Sequence, residues 1–217
     1  STMSGGAFDA GTLFSFDPHN LQYNKLFDFE PHNGKIPYAN LAGYNQKLYG
    51  LTNGGGTDEY GYDAYYGGVL FEWDIQEKKF AKKVDMPRER SEFSSIHGRS
   101  AFTALNNRLF VVRKETEVQR AGIFEFNPTT SQFTRIFTFS NSIKILEENG
   151  TTAHDGKLVG IGMWQHDWSS KEIIYEFDPS TNAFSYRQVP FNYSKFPYLI
   201  GMTGAPVFLN NKWYCLT

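Results

Sequence analysis

Gly11-Thr12-Leu13-Phe14-Ser15-Phe16-Asp17-Pro18 decides the fold, because the same pattern occurs four times. It returns as Gly68-Val69-Leu70-Phe71-Glu72-Trp73-Asp74-Ile75, then as Gly122-Ile123-Phe124-Glu125-Phe126-Asn127-Pro128, and last as Ile174-Tyr175-Glu176-Phe177-Asp178-Pro179. Aligned on Phe14, Phe71, Phe124 and Tyr175, the copies lie 57, 53 and 51 residues apart. Periods of this length mark repeat architectures, in which a unit buries its apolar faces only against its neighbours.

Each copy is flanked by three further strand patterns. After it comes a second aromatic run, at 23–29, 80–86, 133–139 and 184–191. The Asp-Pro or Asn-Pro pair between the two runs predicts a hairpin turn, since proline cannot donate to a ladder. Two more strands are predicted at 37–41, 100–105, 150–154 and 204–209, and at 47–52, 108–113, 157–162 and 212–217. They are joined by Asn45-Gln46, Asn106-Asn107, Asp155-Gly156 and Asn210-Asn211, residue types that accept the positive φ of tight hairpins. The sum is four strands per unit and sixteen in all, with no sustained helical periodicity.

A lone four-stranded sheet of this composition would leave two aromatic faces in water. Radial stacking buries both faces, so the pattern predicts an all-β propeller of four blades. With the strands of a blade lettered a to d, the Gly11 strand is c and the Lys212 strand is b. The expected single domain, 1–217, therefore has units of about 1–32 plus 196–217, 33–87, 94–140 and 145–191. Its ring is expected to close by pairing the N-terminal c and d strands with the C-terminal a and b strands, or by pairing two chains, since an unpaired strand edge is a liability; the alternative is a four-blade portion of a longer array, cut at an equivalent point.

Composition narrows the function. Aromatics make up 17% of the residues and the net charge is -2, with no basic stripe of the kind nucleic-acid binding needs. No apolar run reaches the length of a membrane helix. The single cysteine, Cys215, excludes an intramolecular disulfide and reads as a small apolar residue of a strand. Nothing in the sequence calls for a cofactor.

The strand order resembles kelch-type blades, and the closer resemblance is to the bacterial GloVer repeats, a kelch-like propeller family. It is carried by Pro37-Tyr38-Ala39, Leu48-Tyr49-Gly50, Gly54-Gly55 and Gly68-Val69-Leu70-Phe71. The first unit matches best. Phe110-Val111-Val112 and Leu158-Val159-Gly160 lack the Gly pair that should follow. The resemblance implies a secreted or surface-exposed bacterial protein and supplies no catalytic residues.

Chemistry is expected on the b–c and d–a loops, which leave a blade at one end and would surround the channel mouth. Scaffold-held loops are where binding residues concentrate. The first b–c loop carries Tyr60, Tyr62, Tyr65 and Tyr66, another carries Trp164, His166 and Trp168, and a d–a loop adds Arg88. Such rings suit sugar faces or a protein partner. Asp58, Glu59 and Asp63 are oxygen donors of the type calcium takes, at a spacing that fits no EF-hand. His97, Arg99 and Tyr193, with His154 as an alternative to the tyrosine, are the residue types of a lyase that abstracts a proton and offsets the developing charge. The reading is a non-enzymatic binding module for carbohydrate or protein. A polysaccharide-degrading enzyme and a structural unit of a larger surface protein are the alternatives.

Overall fold

The computed structural model describes residues 1–37, 40–57, 68–86, 101–113, 121–145, 150–166, 169–190 and 203–216. These form two compact units, Ser1–Arg99 and Ser100–Thr217. The described secondary structure is eighteen strands and one short 3-10 turn at Pro31–Asn33, with no α-helix among the described residues.

In the first unit, β1 (Thr12–Asp17) and β2 (Gln22–Asp28) form a two-stranded antiparallel sheet. Next to it in sequence is a complete blade. Its a strand is split into β3 (Lys35–Pro37) and β4 (Ala42–Tyr44), both paired to β5 (Lys47–Gly54), followed by β6 (Val69–Asp74) and β7 (Lys79–Asp85). The two sheets share one core. Leu13 and Phe29 of the first pack with Val69, Phe71 and Trp73 of the second. Phe27 lies on Phe80 with centroids 4.0 Å apart and planes 1° from parallel.

The second unit contains two complete blades. One is β8 (Thr103–Leu105), β9 (Arg108–Arg113), β10 (Gly122–Asn127) and β11 (Gln132–Thr138). The next is β12 (Ile143–Lys144) and β13 (Thr152–His154), both on β14 (Lys157–His166), then β15 (Ser169–Asp178) and β16 (Ala183–Gln188). A final pair, β17 (Thr203–Leu209) and β18 (Lys212–Leu216), stands as a two-stranded sheet. The core repeats that of the first unit: Phe137 lies on Phe184 at 4.8 Å and 23°, and Phe139 and Tyr175 meet edge to face at 5.3 Å. The strand count exceeds the expected sixteen because two a strands are broken in two.

Three turn and ladder details follow from the sequence. The a–b turns are two-residue turns with both residues at positive φ, as at Asn45 (48°) and Gln46 (60°), the geometry that matches strand twist. The c–d turns depend on the Asp or Asn rather than on proline. Asp17, Asp74, Asn127 and Asp178 each accept the N–H two residues ahead, and this holds even in the blade with Ile75 where the others have proline. A register shift between Leu13/Phe14, Leu70/Phe71 and Ile123/Phe124 bends three c–d pairs. The β15–β16 ladder runs without one.

Candidate functional site

The b–c connection of the first complete blade runs from the end of β5 at Gly54 to the start of β6 at Val69, and its described residues at both ends are anchored. Gly56 donates to the Pro31 carbonyl at 2.7 Å, and Val69 N–H donates to the Thr52 hydroxyl at 2.8 Å. Thr57 is hung from Asp85 twice, through its N–H at 3.0 Å and its hydroxyl at 2.9 Å. Lys82 Nζ completes the knot, donating to Asp85 at 3.0 Å, to the Thr57 hydroxyl at 3.2 Å and to the His32 carbonyl at 3.2 Å. Burial would raise the Asp85 carboxyl, but the Thr57 and Lys82 hydrogen bonds outweigh it and hold the group below its ordinary value. Gly68 has no room for a side chain, since a Cβ would lie 2.0 Å from the Thr52 carbonyl oxygen.

The β1–β2 sheet uses the same device. Lys25 pairs with Asp28 at 2.7 Å, and Ala7 N–H donates to Asp28 at 3.3 Å. Gly5-Gly6-Ala7 thus corresponds to Gly55-Gly56-Thr57, a recurrence too short to stand out in the sequence.

In the second unit the longest hairpin, β14–β15, raises the other aromatic loop. Gln165 N–H donates to the Ser142 carbonyl at 2.7 Å, which ties the hairpin to the preceding segment. Trp164 pairs across the ladder with Lys171 and with Ile143 and packs, partly buried, against the unit's core. His166 sits at the end of β14 opposite Ser169. Tyr60, Tyr62, Tyr65, Tyr66, Trp168, Arg88, His97, Arg99, Tyr193, Asp58, Glu59 and Asp63 lie outside the described residues. Among the described residues no three or more His, Cys, Asp or Glu side chains gather to hold a metal, and no helix is long and apolar enough to cross a membrane.

The opposite, turn end of the blades carries a repeated ion pair. A cation opening strand b reaches diagonally to the glutamate of strand c: Lys47 to Glu72 at 2.6 Å, Arg108 to Glu125 through two bonds of 2.8 and 2.6 Å, and Lys157 to Glu176 at 2.7 Å. Glu72 also accepts from the buried Tyr49 hydroxyl at 2.7 Å. Burial alone would raise Glu72, but the Lys47 and Tyr49 bonds hold it below the ordinary carboxylate range. His154 lies at this end beside the a–b turn, away from the d–a loops. Its ring rests on Phe208 at 3.9 Å and meets Trp213 edge to face at 5.2 Å. This position separates it from the end where a lyase set was expected.

Two clefts flank Trp213. One of about 410 Å³ is lined by His154, Lys157, Glu176 and Phe208. The other, about 340 Å³, is lined by Ile174, Tyr186 and Arg187. Sequence reasoning missed both, because they depend on which strands face each other.

A family model described as the Gloeobacter/Verrucomicrobia repeat matches residues 1–175. The chain belongs to that family. No curated protein matches it. Among solved structures, the chain is similar to an alpha-L-arabinofuranosidase from Clostridium thermocellum, with TM-score 0.54, 12% identity, 99% of this chain and 74% of that one covered. It is also similar to an oligogalacturonate lyase in complex with manganese, with TM-score 0.53, 12% identity and 84% of this chain covered, the match spanning 49% of the lyase. At such identity these likenesses speak to fold alone, and with the repeated blades they give the Gloeobacter/Verrucomicrobia repeat chain a β-propeller fold.

Proposed function

We propose that this chain is a non-enzymatic binding module, secreted or exposed at the cell surface, that takes carbohydrate at its b–c and d–a loop end. The observation that carries the reading is the anchoring of the aromatic loop at 58–67. Its two ends are tied to strand b, to Asp85 and to the 31–32 segment by five hydrogen bonds around Thr57, Gly56 and Val69. Fixing the two ends of a segment removes part of the ordering cost of binding. Four tyrosines in such a loop offer flat apolar faces with polar edges, which match pyranose rings. The propeller fold is shared with an arabinofuranosidase and an oligogalacturonate lyase, and fold likeness by itself does not transfer their chemistry.

A glycan array tests the proposal. The wild type is expected to bind a defined set of glycans. A variant with Tyr60, Tyr62, Tyr65 and Tyr66 changed to Ser loses that binding at least tenfold, and Trp168→Ala weakens it. No binding to any glycan sinks the carbohydrate reading. Turnover of a polysaccharide, abolished by His97→Ala, would make the chain an enzyme instead.

A further inference from the structure

In the first complete blade a lysine ammonium sits where a bound cation would. Four oxygens surround Lys82 Nζ: the two of the Asp85 carboxylate at 3.0 and 2.9 Å, the Thr57 hydroxyl at 3.2 Å and the His32 carbonyl at 3.2 Å. The turn that supplies the carbonyl is fixed in its own right. Asn33 Nδ2 donates to Glu30 Oε1 at 2.6 Å, and His32 Nε2 lies 3.2 Å from the same oxygen. Carboxylate, hydroxyl and carbonyl oxygens are the donors that hold a hard cation, and here the chain supplies the positive charge itself.

The bulge of strand d builds this cage. Residues three apart in an unbroken strand point to opposite faces. In β7, Phe71 stands opposite Lys82 and Leu70 opposite Val84, so Lys83 is the extra residue, which turns Asp85 to the side of Lys82. β2 repeats this with Leu26 as the extra residue and Lys25 on Asp28 at 2.7 Å. The Gly pair completes the device. A Cβ at Gly56 would lie 2.7 Å from Asp85 Oδ1, and one at Gly6 would lie 2.6 Å from Asp28 Oδ1. Each carboxylate therefore closes on bare backbone and receives the next N–H, from Thr57 or Ala7. The other two blades depart in all these features together. One keeps the bulge but has Arg135 and Thr138 at the matching places, the other has Tyr186 and Gln188 and no bulge, and neither has the Gly pair.

We propose that Lys82 and Asp85 are positioning residues: the ammonium stands in for a bound cation and, through Asp85 and Thr57, fixes where the chain leaves β5 toward 58–67. A cation carried on the chain is always present, so the anchor does not vary with free ions. For its effect on a ligand the proposal rests on the carbohydrate-binding reading, and the anchor itself does not.

The test is amide exchange followed by NMR at two sites. The Thr57 N–H depends on Asp85, whereas the Val69 N–H is held by Thr52 and serves as the internal reference. In Lys82→Ala the protection of Thr57 is expected to fall at least about tenfold, in line with the loss of a hydrogen bond to a charged group, with Val69 unchanged. Propylammonium, which replaces the missing atoms, restores it, and tetramethylammonium, which has no N–H to donate, does not. Asp85→Asn shows the same loss without rescue. Lys82→Met keeps the apolar stem and shows the same selective loss if the alanine variant does not fold. Thr57 protection unchanged in these variants, or restored equally by both cations, overturns the proposal. On a glycan that the wild type binds, Lys82→Ala is expected to bind at least about tenfold more weakly and to recover with propylammonium, and unchanged affinity there overturns the positioning role. A wild type that binds no glycan sinks the carbohydrate reading alone, and exchange at Thr57 still decides the anchor.

Discussion

Phe177 and Phe16 hold the same place in strand c, yet Phe177 is sealed in a core and Phe16 is open to solvent. The contrast shows where a blade's stability comes from. Phe177 is covered by Phe137 of the preceding blade at 5.1 Å and sits in a sheet whose b strand, β14, is present. Among the described residues Phe16 has its d-strand partner alone, with Tyr23 directly opposite it in the ladder. Strand sequence alone therefore does not bury the ring, and a neighbour on each side does.

The largest effect that would test this contrast is a pair of truncations. Phe177→Ala removes a fully buried ring and is expected to cost about 3–5 kcal/mol in urea unfolding. Phe16→Ala is expected to cost less than about 0.5 kcal/mol, as an exposed substitution does. An equal, large loss for both would mean that Phe16 is already covered, and the contrast between the two positions would fail.

The ion pair at the turn end sharpens the same comparison, because β1 has Ser15 where the complete blades have glutamate. Glu72 accepts from Lys47 and Tyr49 in a largely buried place, so Glu72→Gln is expected to cost roughly 1–3 kcal/mol. Its pH dependence has a definite sign. The folded-state value of Glu72 lies below its ordinary value, so the folded state binds the proton less readily than the unfolded one. That stability is fully present above the ordinary carboxylate range and is lost as the pH falls through the lowered value. Thermal unfolding followed from roughly pH 7 to pH 3 should show a shallower acid decline in Glu72→Gln. Lys157 and Glu176 form the same pair with both side chains more exposed, and Glu176→Gln is expected to change little.

Much of this was legible in the sequence. The c strands and the a–b turns follow from repeated residue types whose physical demands are local: aromatic alternation for a two-sided sheet, and Asn or Gly for positive φ. The glutamates at 72, 125 and 176 and the cations at 47, 108 and 157 were visible as separate recurrences. Their pairing was not, because it is a diagonal contact that exists only once the b–c register is set. The break in two a strands was likewise hidden. It arises because β5 and β14 run past the length of a single short partner. Of the proposed aromatic ligand contacts, Trp164 is the one whose side chain the structure describes. It combines a place on the hairpin leading to the loop with packing on the core, a double role that residue type cannot reveal.

The smallest expected effect concerns the one strand-c ring that departs from phenylalanine. Phe14, Phe71 and Phe124 are replaced in the last complete blade by Tyr175, whose ring is fully buried and whose hydroxyl has no hydrogen-bond partner among the described residues. Burial pushes the phenol's ionisation upward, so the group stays neutral. The hydroxyl lies against Gly160, where a Cβ would come within 2.3 Å of it, so a glycine in strand b makes the space the extra atom needs. A buried polar atom without a partner carries its full desolvation cost, and deleting it relieves that cost while leaving the ring contacts intact. Tyr175→Phe is therefore expected to raise stability by about 1 kcal/mol, seen as a higher urea midpoint at unchanged slope. A loss of stability would mean that the hydroxyl is satisfied by a buried water, and the departure from phenylalanine would then be a polar anchor of this blade instead of a tolerated defect.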